Sequence, residues 1–195
     1  MFETVPPVKT PKMTPSPKPT PMPTPTPVPT PSDRDRRAQA AVNAASAYAD
    51  NNVKYTKGGS SDQNGFDCSG LVRKVCENTN LVFGQGNLSN SARYMVKSFF
   101  DNPEYGTDVY DYANNLDMPS LMPGDLVFSA NPDNLGLDRH VSIATGNGLQ
   151  VVEASDRAGI NKVTYQFDAY DTINNDGLYV RGTGQVITYV IRPNY

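Results

Sequence analysis

One histidine, two cysteines and no long apolar run set the first limits on this chain of 195 residues. A lone histidine with two separated cysteines supplies no ligand cluster, so neither a metal centre nor another cofactor is expected. Cys68 and Cys76 stand eight residues apart on one expected helix, about 12 Å along its axis at ~1.5 Å per residue, beyond the reach of a disulfide. No stretch approaches the ~20 apolar residues of a membrane span. A secretory signal is also missing from the expectation, because Met1 and Phe2 lead straight into acidic and proline-rich sequence with no charged region followed by an apolar one. Basic charge is scarce as well: Lys and Arg total 17 against 20 Asp and Glu. With Lys9, Lys12, Lys18 and Glu3 set aside, residues 33 to 195 hold 14 basic against 19 acidic side chains, a net of −5. An acidic domain does not attract nucleic acid or anionic lipid by charge.

What is present divides the chain in two. Twelve of the 17 prolines lie between Pro6 and Pro31, interleaved with threonine and with almost nothing able to build a core. Residues 1 to 32 therefore read as a polyproline-like linker, whose roughly 27 Pro/Thr-rich residues reach some 80 Å at ~3.1 Å each, suited to tethering a domain at a distance. Residues 33 to 195 are long enough for one domain, and no repeat of solenoid period appears.

Within that domain Ser32 to Asp50 reads as a first helix, with Ser32 and Asp35 as a capping box and Val42, Ala45, Tyr48 and Ala49 as its apolar face. Val53 to Gly65 reads as a loop, Cys68 onward as a helix, Leu88 to Phe100 as another, and Asp101 to Pro119 as a polar connection. Strand character then takes over: Asp125 to Ser129, Val141 and Ile143, Gln150 to Ala154, Gly177 to Arg181 and Gln185 to Arg192. Helices followed by antiparallel strands make an α+β domain.

The chemistry concentrates at Phe66-Asp67-Cys68-Ser69-Gly70-Leu71-Val72. Leu71, Val72 and Val75 recur at helical spacing, which puts Cys68 in the first helical turn with Asp67 as N-cap. Amide N–H groups and the dipole at a helix N-terminus favour a thiolate, and the thiolate is the nucleophile. A free cysteine is more often a small buried apolar residue. Cys68 differs because it follows a glycine-rich loop, and because the chain's one histidine, His140, stands between a loop and a strand, where a base for Cys–His catalysis is needed.

These blocks, together with Tyr55, Gly58-Gly59, Pro123-Gly124-Asp125-Leu126-Val127-Phe128 and Arg139-His140-Val141-Ser142-Ile143, resemble the NlpC family of papain-like cell-wall cysteine peptidases over roughly residues 38 to 192. The resemblance implies a papain-like fold in which the helix of the nucleophile packs on a small antiparallel β-sheet that carries the base. It also implies hydrolysis of peptidoglycan stem peptides, typically between D-glutamate and a diamino acid, and substrate contacts at Tyr55, Asp67 and Ser69. An extracellular or cell-wall location follows, by a route the sequence does not display, such as a phage particle or mobile element. Two departures stand out: Lys57 replaces the usual aromatic residue before Gly58-Gly59, and Glu153 stands where the family commonly has a second histidine. A hairpin centred on Gly146-Asn147 puts Glu153 opposite His140, and one centred on Asn147-Gly148 puts it opposite Ser142; either way the carboxylate shares the face of His140. Glu153 is thus the expected third member, with Asp138 and Asp156 as weaker substitutes, and Arg93 is a candidate for a substrate carboxylate. The same Cys–His pair also suits a CHAP-type wall amidase or an acyltransferase, and a decayed wall-binding module is the reading from another class.

Overall fold

A computed structural model of the chain describes residues 32–79, 88–114, 117–156, 160–166, 169–170, 172–174 and 176–195. The expected linker, apart from Ser32, lies outside these residues. Three helices come first. Helix α1, Asp33–Asp50, starts at the capping box: the Asp35 N–H donates to Ser32 Oγ at 3.1 Å and the Ser32 N–H donates to Asp35 Oδ2 at 3.2 Å. Its buried face is Ala38, Ala41, Val42, Ala45 and Ala49, small side chains that let the helix come close to its neighbours. Helix α2, Cys68–Asn78, buries Leu71, Val72, Val75 and Cys76, and helix α3, Ala92–Asp101, buries Ala92, Met95, Val96 and Phe99.

Strands β1, Ser60–Ser61, and β2, Gly65–Phe66, form a two-stranded ladder ahead of α2. The main sheet contains β3, Gly106–Asp111; β4, Leu126–Ala130; β5, Asp138–Ala144; β6, Val151–Ser155; β7, Lys162–Gln166; β8, Thr172–Ile173; β9, Tyr179–Val180; and β10, Val186–Pro193. Its order is β7-β6-β5-β4-β10-β9-β8, with β3 pairing the later part of β10, and every pairing is antiparallel.

Alternation along the strands makes two cores. Leu126, Phe128, Val141, Ile143, Val152, Ala154, Val163 and Ile191 pack with the helices. Val127, Ala144, Val151, Ile187 and Val190 are covered on the other side by Tyr110, Leu121, Ala169 and Tyr179. Coverage of both faces explains why β4 and β6 are buried at every position. At roughly 1.5–3 kcal/mol for each large apolar side chain fully removed from water, the central strands are the best-anchored part of the molecule.

Five expectations change. The polar connection from Asp101 to Pro119 contains β3, whose pattern hides Gly106 and Tyr110 but leaves Thr107 and Asp108 exposed, so no apolar alternation announces it. Strand β7 was not anticipated; it is an edge strand with one buried residue, Val163. The loop over Val53 to Gly65 includes β1, and the strand expected over Gly177 to Arg181 contracts to Tyr179–Val180. Helix α3 begins at Ala92 rather than Leu88.

Candidate active site

The start of α2 is fixed by one carboxylate. Asp67, at the N-cap, accepts the Gly70 N–H at 2.7 Å and the Ser69 hydroxyl at 3.0 Å through Oδ1, while Oδ2 accepts the Gly58 N–H at 2.9 Å. The Asp67 N–H donates in turn to the Gly59 carbonyl at 3.0 Å. This seats the helix directly on the Gly58-Gly59 backbone. A Cβ on Gly70 would lie 1.9 Å from the Gly59 oxygen, and one on Gly59 would lie 2.4 Å from the Gly65 oxygen, so both positions require glycine for close approach. Cys68 is the first residue of the helix, part-exposed, where the first-turn N–H groups have no acceptor within the helix.

His140 comes from β5. Ser129 pairs with His140 and Ala130 with Asp138, which leaves Arg139 as an extra residue in the strand. That bulge re-aims the chain at the site. The Arg139 carbonyl lies 3.9 Å from Cys68 Sγ, so the cysteine and the base-bearing segment are adjacent. The strand begins at Asp138, two residues earlier than the start anticipated at His140.

Glu153 reaches the same place from β6. Ile143 pairs with Val152 and Ala144 with Val151, the register centred on Asn147-Gly148, although Thr145 and Gln150 close a four-residue loop rather than a two-residue turn. One step further along, Glu153 is level with Ser142 and on the face of His140. Its Oε2 lies 2.8 Å from His140 Nε2, both residues being buried. With Nε2 engaged, Nδ1 is left to serve the Cys68 sulfur, which also interacts with the imidazole.

Burial alone would disfavour the imidazolium, but the Glu153 charge, the contact with Cys68 and the hydrogen bond to Glu153 outweigh it and raise the His140 pKa to about 9. Burial pushes Glu153 the other way from its neighbours; the charge and hydrogen bonds of His140, then of Arg181, prevail and hold it well below the usual carboxylate range. At neutral pH the pair is carboxylate and imidazolium. Arg181 is a member that sequence reasoning missed: its Nη2 donates to the same Glu153 Oε2 at 2.5 Å, with both side chains 4% exposed. Its signal was weak, an arginine two residues after the buried Tyr179 on a very short strand.

The remaining candidates fall into two groups. Ser69 is buried with its hydroxyl on Asp67, and Tyr55 is part-exposed, its backbone bridged to Phe66 and its N–H donated to the Asn161 carbonyl. Both adjoin the nucleophile's loop. Asp138 is turned away onto the Thr188 hydroxyl, Asp156 is exposed, and Arg93 lies over the ring of Tyr94 on the exposed side of α3. The structure does not bring these three together with Cys68. Lys57 is exposed beside Gly58, and Cys76 is buried in the helix core. No helix among the described residues is long and apolar enough to cross a membrane.

The family model described as NlpC/P60 family matches residues 52–175, a span that includes Cys68, His140 and Glu153. Among solved structures, NlpC1 from Trichomonas vaginalis is similar at 20% identity and a TM-score of 0.54, over 80% of this chain and 43% of that one. NlpC2 from the same organism gives 18% and 0.55 over 80% and 46%. A Staphylococcus aureus protein described as similar to lipoprotein, NLP/P60 family, gives 22% and 0.53 over 84% and 43%. The chain thus spans less than half the length of each. No curated protein matches it significantly. The fold is the papain-like one, helices against an antiparallel sheet. On the match over most of its domain, the chain belongs to the NlpC/P60 family, whose members are generally cell-wall peptidases or hydrolases.

Proposed function

We propose that the protein is a cysteine endopeptidase of bacterial peptidoglycan, with Cys68 as nucleophile, His140 as acid and base, and Glu153 as the group that orients the imidazole. The observation that carries this reading is the 2.8 Å contact between His140 Nε2 and Glu153 Oε2, which directs the other ring nitrogen to a cysteine at a helix N-terminus. The thiolate attacks the carbonyl carbon of a peptide bond, and the oxygen, now anionic, is met by the N–H of Cys68. Collapse expels the amine, which takes the proton of the His140 imidazolium, and leaves a thioester. Neutral His140 then removes a proton from water as the water adds to the thioester. The acid product leaves, and thiolate and imidazolium are restored.

The substrate assignment rests on the family: stem peptides, cut between D-glutamate and a diamino acid. Tyr55, Asp67 and Ser69 border the bond in this reading. The Asp67 and Ser69 side chains act there by shaping the backbone around Cys68, since their polar atoms already bond one another and the Gly58 and Gly70 N–H groups. The site of action is the cell wall, outside the membrane, with residues 1 to 32 as tether.

Digestion of purified peptidoglycan by wild type and by Cys68→Ala, with fragments weighed by mass spectrometry, tests the reading. New peptide ends from wild type alone support it and name the bond. Release of intact stem peptides from glycan would instead identify an amidase, and an inert wall together with an unreactive Cys68 thiol would leave a binding module.

A further inference from the structure

Arg181 closes a row of charges behind the imidazole. One oxygen, Glu153 Oε2, receives both Arg181 Nη2 and His140 Nε2. The other terminal nitrogen of the arginine, Nη1, is buried and has no hydrogen-bond partner among the described residues. A guanidinium held in this way is a poor stabiliser, because desolvation offsets most of the Coulomb gain of a buried pair and an apolar side chain of similar size would serve the fold as well. An incompletely bonded buried cation beside a base needs another reason to be there.

We propose that Arg181 is a positioning residue for the reaction: by fixing Glu153 Oε2 as an anion against His140 Nε2, it keeps the imidazole oriented beside Cys68. The charge count supports this. With the ion pair formed, Cys68 and Glu153 are negative and His140 and Arg181 positive, so the site is neutral overall. Without Arg181 it would carry one excess negative charge in a water-poor setting, and a proton taken up by Glu153 or by the thiolate would relieve it.

Among the described residues no other charged side chain stands in to supply that balance. On β5 itself, Asp138 is bonded to Thr188 of β10 and Arg139 is exposed. From β4 and from the turn just before β10 the site receives Ser129 and Gln185, uncharged and bonded to each other at 3.0 Å. On α3, Arg93 and Lys97 are exposed and Lys97 is paired with Asp101.

The proposal rests on the Cys–His hydrolase reading of the site, and its test avoids the substrate. Full-length wild type, Arg181→Met, Arg181→Gln, Arg181→Lys and the double variant Glu153→Gln with Arg181→Met are compared by the pH dependence of Cys68 alkylation with iodoacetamide. The 15N signals of His140 are followed in parallel, and melting curves establish folding. Arg181→Met is expected to slow alkylation at pH 7 roughly ten-fold or more, by analogy with other outer-shell partners, and to move the imidazole titration. Arg181→Lys should recover part of the loss, and the double variant should melt no lower than Arg181→Met while remaining slow. Where Arg181→Met does not fold, Arg181→Gln carries the comparison. A folded neutral variant with the wild-type profile, or a double variant with wild-type reactivity, overturns the proposal. A wild-type thiol that never reacts overturns the hydrolase reading instead, so the two failures are distinct.

Discussion

Replacing Glu153 with Gln tests the electrostatics of the site most directly. The substitution keeps the shape and an oxygen acceptor but removes the charge that contributes most to raising His140 from 6.5 to about 9. At about 1.36 kcal/mol per pKa unit, that rise is on the order of 3 kcal/mol in favour of the imidazolium. Once the carboxylate is neutralised, burial and the positive charge of Arg181 both disfavour the imidazolium, and only the contact with Cys68 still favours it. His140 in the variant should therefore titrate well below its wild-type position. The sign for activity follows. Wild type needs the imidazolium as acid, so the alkaline limb of kcat/KM should fall near pH 9, whereas in Glu153→Gln it should move to lower pH.

The assay is unambiguous because His140 is the only histidine in the chain. With 15N-labelled histidine, every imidazole signal belongs to it, and its titration is read without any substrate. A folded wild type whose imidazole titrates at or below about 6.5 would refute the reasoning. So would a folded Glu153→Gln variant whose imidazole still titrates near 9. Activity at pH 7.5 gives a coarser check, since each pH unit by which the titration falls below the assay pH removes about ten-fold of the imidazolium.

Three further outcomes follow from the packing. Gly70→Ala should lower stability by about 1–3 kcal/mol, because its Cβ meets the Gly59 carbonyl and the helix start must lift off the glycine pair; an unchanged urea midpoint would contradict this. Cys76 is buried and its thiol is pushed well above the usual range, first by burial and then by the Glu77 charge, so native protein should take up one equivalent of alkylating agent and denatured protein two, counted by intact mass. Arg192→Met removes Nε and Nη2 from a carboxylate, Asp125, that is fully buried; a loss of roughly 3–5 kcal/mol by denaturant unfolding is expected, and a loss under 1 kcal/mol would mean that the Met122 N–H alone satisfies Asp125.

The parts of the fold legible in the sequence were those with dense local signals. Ser32 and Asp35 mark the start of α1, and Asp67 marks that of α2, because a side chain and an N–H three residues on are enough to define a cap. Strands covered on both faces, such as β4, announce themselves as apolar runs. Strands β3 and β7 do not. Each is ordered chiefly by its pairing, β3 with the distant β10 and β7 with the neighbouring β6, and such pairing leaves no periodic trace in a short edge strand.

The site divides along the same line. Cys68, His140 and Glu153 could be read from motif and hairpin parity, whereas Arg181 lies 28 residues from the carboxylate it holds. Yet the need for a cation was implicit in Glu153 itself. It stands between Val152 and Ala154 in a strand with no exposed position, and a carboxylate so placed cannot stay ionised without a charged partner. A histidine, charged only by drawing its proton from that setting, leaves the site still one positive charge short once the thiolate forms. The partner should then be an arginine set among buried residues at strand spacing. Within the described residues of the strand-rich half Arg181 and Arg192 meet that description, and Arg192 is already held by both oxygens of Asp125, the acid of the Pro123-Gly124-Asp125 turn. Elimination on charge and burial leaves Arg181, so the carboxylate at 153 and the arginine at 181 act as one charged unit of the site rather than two.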